Sequence, residues 1–171
     1  MKKVLFFFLF ILMSCSASKV ITDYDANINF KAFTTYNFYS DIGKGLHELD
    51  VKRIVKSLNV ELQQKEFSMD ENPDFYIHII SKISDVKNYN TVGIGIGSGT
   101  NNGGFGISGG IPIGVKKRNE EFNIEFVNAQ TNEVFWLGML NSTVKENRKP
   151  QEKEHHFQEI IKKILEKYPP N

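Results

Sequence analysis

The sequence predicts an α+β fold, a two-layer sandwich in which a mostly antiparallel sheet carries two helices packed on one face. Three observations predict it. Two segments repeat apolar residues at helical spacing, one near the middle of the chain and one at its C-terminal end. Several shorter segments alternate with period two, the spacing of a strand with one buried face. The two kinds follow one another as strands, helix, strands, helix, the segregated order of an α+β layer and not the strict alternation of a parallel α/β sheet. The 171 residues, 40% hydrophobic and 24% charged, are enough for one ordinary domain with its own core.

The chain opens on an address. Lys2 and Lys3 precede an unbroken apolar run from Val4 to Met13. A helix of that length spans about 15 Å, half of the roughly 30 Å hydrocarbon core of a bilayer. The run therefore predicts a secretory signal peptide over residues 1–14, not a membrane span. Leu12-Met13-Ser14-Cys15 resembles the bacterial lipobox. That resemblance implies cleavage before Cys15, a diacylglyceryl thioether on its Sγ and usually an acyl chain on the new amine. Two or three chains anchor stably where one would be marginal. The competing reading is an ordinary leader with a chance cysteine, or a buried free thiol. Cys15 is the only cysteine, which excludes an internal disulfide and a Cys-based zinc cluster.

Ser16, not Asp, immediately follows Cys15, and no acidic cluster follows it. Those patterns would resemble signals for inner-membrane retention and for surface export. The expectation is a lipid-anchored protein of the outer membrane, facing the periplasm. Residues 15–18 form the lipidated N-terminus and a short tether, and residues 19–171 a single domain held close to the bilayer. The 21 basic and 20 acidic residues give a formal charge of +1, and loss of Lys2 and Lys3 leaves the mature chain at −1. No global field recruits nucleic acid, and the near-neutral body adds nothing to the hold of the acyl chains.

Val20 to Tyr24 and Thr35 to Tyr39 are short β-branched or aromatic segments and predict two strands. From Glu48 to Glu66, Val51, Ile54, Val55, Leu58 and Leu62 form one apolar stripe of an amphipathic helix. Ser68 to Pro73 breaks the pattern. Asp74 to Ile83 alternates, with Phe75, Ile77 and Ile79 on one face and Tyr76, His78 and Ile80 on the other, as in a central strand. Phe122 to Val127 and Val134 to Leu140 flank the turn Ala129–Glu133 and predict an antiparallel hairpin. Phe157, Ile160, Ile161, Ile164, Leu165 and Tyr168 define the clearest helix, stopped by Pro169-Pro170.

Between the central strand and that hairpin lies an unusual segment. Ten of the 13 glycines fall between Gly93 and Gly114. Gly104-Phe105-Gly106-Ile107-Ser108-Gly109 matches G-x-G-x-x-G, but a dinucleotide site needs that motif to open a helix, and here Pro112 and more β pattern follow. The better reading is a glycine-rich β-hairpin over residues 92–115 with apolar residues on one face. Glycines weaken a strand unless something approaches closely. Ile94, Ile96, Phe105 and Ile107 of this hairpin, with Trp136 of the return strand, are therefore the candidates for binding a partner. Trp136 also reads as a core or sheet-face anchor.

Catalytic and metal chemistry find no constellation. His155 and His156 are adjacent and diverge by about 100° on a helix. Glu152/His156 and His155/Glu159 supply two ligands each, short of the three or four that a metal centre takes. His78 reads as a hydrogen-bonded core or edge histidine. H-E-x-x-H and G-x-S-x-G are both missing, and Cys15 is committed to lipid. Asp23, Asp25, Asp70, Glu71 and Asp74 flank strands and turns, where Asp is common for turn chemistry. No catalytic residue, metal or cofactor is predicted.

The pieces together are similar to the bacterial lipoprotein family of domain of unknown function (DUF) 4136. The resemblance rests on Val20-Ile21-Thr22-Asp23-Tyr24-Asp25 soon after the cysteine, Phe33-Thr34-Thr35-Tyr36-Asn37-Phe38, a helix with Ile54 and Leu62, and Asn72-Pro73-Asp74-Phe75-Tyr76-Ile77. A glycine-rich hairpin follows. The strand–turn–strand from Phe126 to Gly138, ending Trp136-Leu137-Gly138, and the close at Tyr168-Pro169-Pro170 complete it. Asn128 and Asn132 stand where the family often has Asp and Gly. The resemblance implies an α+β layered domain and brings no activity or catalytic residues. The functional expectation is a non-enzymatic envelope lipoprotein, binding a protein or envelope component. Its alternatives are a lipid- or glycolipid-handling module of outer-membrane assembly and an envelope hydrolase.

Overall fold

The computed structural model describes residues 18–86 and 116–170. Within them the chain forms β1 (Val20–Tyr24), a single 3-10 turn (Phe30–Ala32), β2 (Thr35–Phe38) and α1 (Glu48–Gln64). It continues through β3 (Ser68–Met69), β4 (Phe75–Asp85), β5 (Lys117–Asn128) and β6 (Val134–Lys145) to α2 (Pro150–Leu165). The six strands make one sheet in the order β1-β6-β5-β4-β2-β3. The fold is α+β.

The expected, mostly antiparallel sheet needs one correction: it is mixed. β1, β6, β5 and β4 pair antiparallel in turn, but β2 pairs parallel with both β4 and β3. A parallel neighbour needs a crossover of a dozen or more residues, and α1 supplies it between β2 and β4. The sequence shows the helix but not which strand its return reaches.

Period-two alternation puts Phe75, Ile77 and Ile79 of β4, Phe122, Ile124 and Phe126 of β5, and Trp136 and Leu140 of β6 into one cluster. Ile54, Leu58 and Leu62 of α1 join the same cluster, as do Phe157, Ile160, Ile161, Ile164 and Leu165 of α2. Burying each such side chain contributes about 1.5–3 kcal/mol against leaving it in water, before entropy is counted. The helices lie side by side, tied by Lys153–Asp50 and Lys56–Glu154 contacts of 2.8 Å.

Two local devices complete the packing. The β5–β6 register shifts after Phe126, which pairs with Trp136 while Val127 pairs with Val134. Phe135 is the extra residue of this bulge, so it and Trp136 both enter the core despite being neighbours in sequence. At the other junction, Gly138 lets α2 approach: a Cβ there would overlap Ile164 Cγ2 and Trp136 Cη2.

β5 and β6 are longer than their apolar pattern predicts. Their outer halves, 117–121 and 141–145, are largely polar, yet they pair residue for residue with one another, and β5 also with the end of β4. Backbone ladders extend them, and of their side chains Glu120 and Val144 are buried. Among the described residues no helix is long and apolar enough to cross a membrane.

Candidate functional site

Of the five partner-binding candidates, Ile94, Ile96, Phe105 and Ile107 lie outside the described residues, as do Cys15 and the G-x-G-x-x-G segment. Trp136 is described and is fully buried, its ring 4.8 Å from Phe126 and 5.1 Å from Tyr168. It is a core anchor, with no free face to offer a ligand. Burial also raises the Tyr168 hydroxyl well above its usual range.

Among the described residues, the second face of the sheet stays partly exposed. Because side chains alternate along each strand, it carries the residues interleaved with the core set. Glu125 of β5 stands directly between His78 of β4 and Leu137 of β6. One step along, Asn123 stands between Ile80 and Met139, with Ile21 of β1 beyond. His78 Nδ1 and Glu125 Oε2 are 3.0 Å apart, and both side chains are partly exposed. The Tyr39 ring packs edge-on against His78 at 5.9 Å and tilts over Tyr76 at 5.1 Å. Its hydroxyl donates to Asn132 Oδ1. Ile21 is 49% exposed. The result is a shallow surface, apolar at its margins, with one histidine–carboxylate pair near its centre. Such a surface can hold a partner by contact and by hydrogen bonds to His78 and Glu125.

A second polar group lies on the core side. Glu120 is 2% exposed, and His156 Nε2 lies 2.5 Å from its Oε2. Arg148 Nη1 stands 3.8 Å from the same oxygen. Sequence spacing suggested Glu152 as the neighbour of His156; the fold turns His156 inward to Glu120, 36 residues away. Only the strand register brings them together. His155, by contrast, stays at the surface, 3.5 Å from Glu159. Among the described residues no group of three or more His, Cys, Asp or Glu could hold a metal.

Asp74 serves the fold. Burial works to raise its carboxyl, but the backbone N–H groups of Thr34 and Thr35 and their hydroxyls hold it below the ordinary carboxylate range. The two N–H groups donate to Asp74 Oδ2 at 2.8 and 2.9 Å, fixing the start of β2 against β4.

Comparison with known proteins adds a family and a fold. The family model described as "Domain of unknown function (DUF4136)" matches residues 20–170. No curated protein matches the chain. Among solved structures the chain is similar to a PDZ domain protein from Parabacteroides distasonis, with a TM-score of 0.61 and 17% identity. The match covers 90% of this chain and 36% of that one, so this chain spans little more than a third of that protein. At that identity the likeness shows the fold alone. The PelC dodecamer from Paraburkholderia phytofirmans is also similar, at 8% identity over 87% of this chain and 95% of that one. Its TM-score of 0.44 carries no argument.

Proposed function

This chain belongs to the DUF4136 family, a domain of unknown function, and on that premise we propose that it is an outer-membrane lipoprotein, anchored through acylated Cys15 and facing the periplasm. Its two-layer domain serves as a non-enzymatic binding or structural module. One observation carries the reading: the sole cysteine closes a short apolar leader in a lipobox-like setting, and β1 begins only five residues later. An acyl anchor there would hold the sheet at the bilayer surface. Binding is assigned to the open sheet face around His78, Glu125, Ile80 and Met139, and to the glycine-rich segment 92–115.

Affinity capture from detergent-solubilised envelopes tests the binding role. The wild-type chain is compared with an Ile80→Lys/Met139→Lys variant and with a chain lacking residues 93–114. The expected result is a defined envelope component that the wild type recovers and at least one variant loses. Identical recoveries from all three would remove both surfaces from the account.

A further inference from the structure

A net charge near zero conceals a polarity along the strand axis. At the end where β5 begins and β6 finishes, Lys117 and Lys145 stand directly opposite each other, an unfavourable like-charge pair in an antiparallel ladder. Lys116 precedes Lys117, Lys149 follows Lys145 by four residues at the start of α2, and all four are exposed. None of the four makes an ion pair among the described residues. The nearby Arg118 and Arg148 are already spent on Asp85, Glu146 and Glu120. Residues 87–115, which join β4 to β5, contain no Asp or Glu, so that segment brings no counter-charge. At the opposite end of the strands, Asp25, Asp70, Glu71 and Glu133 are exposed. Among the described residues, charge is predominantly basic at one tip and acidic at the other.

The described chain begins on the side of the basic tip. Val20 pairs with Leu140, and Ser18 shares a surface recess with Asn119, Asn141, Ser142 and Thr143, well along β6 toward Lys145. Three further residues reach Cys15, at most about 10 Å away. Thr143 and Lys145 are two residues apart, about 7 Å along the strand. A three-residue spacer is therefore long enough for an anchor at Cys15 and the lysine tip to meet the same bilayer.

We propose that Lys116, Lys117, Lys145 and Lys149 form a docking rim for the phosphate-bearing headgroups of an anionic bilayer, holding the domain upright with its acidic end away from the membrane. This rests on the lipid-anchor reading and deepens it. Acyl chains alone fix the distance from the bilayer but leave the domain free to tumble on its tether. A lysine near an anionic surface adds about fivefold in partitioning, so four set the orientation.

The mature acylated protein is placed on vesicles of phosphatidylcholine, and on vesicles in which about one third is replaced by phosphatidylglycerol. The rate of amine acylation at each lysine is read by mass spectrometry. Expected is a fall of about fivefold or more at Lys116, Lys117 and Lys145 on the anionic vesicles, reversed by about 0.5 M salt. Lys31 and Lys167, at the acidic end, keep their rates. A Lys117→Glu/Lys145→Glu variant loses the protection at Lys116. Equal rates on both vesicles, with the protein still floating on them, overturn the rim alone. Protection by soluble inorganic phosphate without vesicles overturns it in favour of a small-anion site. Failure to float on neutral vesicles overturns the anchor, and the rim with it.

Discussion

Gly138 and Asp74 each do one physical job that a substitution can isolate. Gly138 faces Ile164 across the helix–sheet interface with no room for a Cβ. Gly138→Ala is expected to cost about 1–3 kcal/mol by overpacking, read as a lower urea midpoint at unchanged slope. Asp74 accepts two backbone N–H groups, and its carboxyl sits below the usual range. A carboxyl whose pKa is lowered on folding contributes stability above its unfolded pKa and loses it as pH falls through the folded value. Asp74→Asn should therefore destabilise by about 1–2 kcal/mol at neutral pH, with the gap to wild type closing below about pH 4. Thermal melts across that range check it. Glu120→Ala would leave the Arg148 guanidinium in a half-closed site without its carboxylate, at a cost of about 3 kcal/mol or more. Denaturant titration reads that loss directly. Asp74 was legible in the sequence as a turn residue beside Pro73. The Glu120–His156 and His78–Glu125 pairs were not, because each joins residues dozens of positions apart through a strand register that no local pattern reveals.

At the scale of elements, legibility followed burial. α2 shows its full apolar stripe in sequence because all of Phe157, Ile160, Ile161, Ile164 and Leu165 face the core. Ile161→Ala should cost about 2–5 kcal/mol by leaving a cavity between helix and sheet, measured by the same titration. α1 was equally plain, and it stops two residues before its expected end because Glu66 takes a left-handed φ of 67° and Phe67 N–H donates back to Leu62. Elements with few buried apolar residues were harder to see. The outer halves of β5 and β6 carry Lys, Arg, Asn, Glu, Ser and Thr with little apolar signal, and β3 is only two residues long. The parallel entry of β2 belongs to the same class, since crossover partners are chosen by tertiary packing. Trp136 falls between the two cases: its core role was readable from its strand, but the bulge that turns both it and Phe135 inward was not.

At the scale of the whole molecule, one face of the sheet is closed by two helices' worth of apolar side chains, and the other carries partly exposed residues around His78 and Glu125. The family match covers residues 20–170, essentially all of this described domain. The proposed place in the cell rests on the first fifteen residues, and the orientation of the charged tips has meaning only if that place is a membrane. Intact-mass measurement of the protein isolated from its native host tests this most directly. The account predicts a chain beginning at Cys15, heavier than residues 15–171 by a glyceryl group and two or three acyl chains. A free thiol at Cys15, or a chain still carrying residues 1–14, would contradict it.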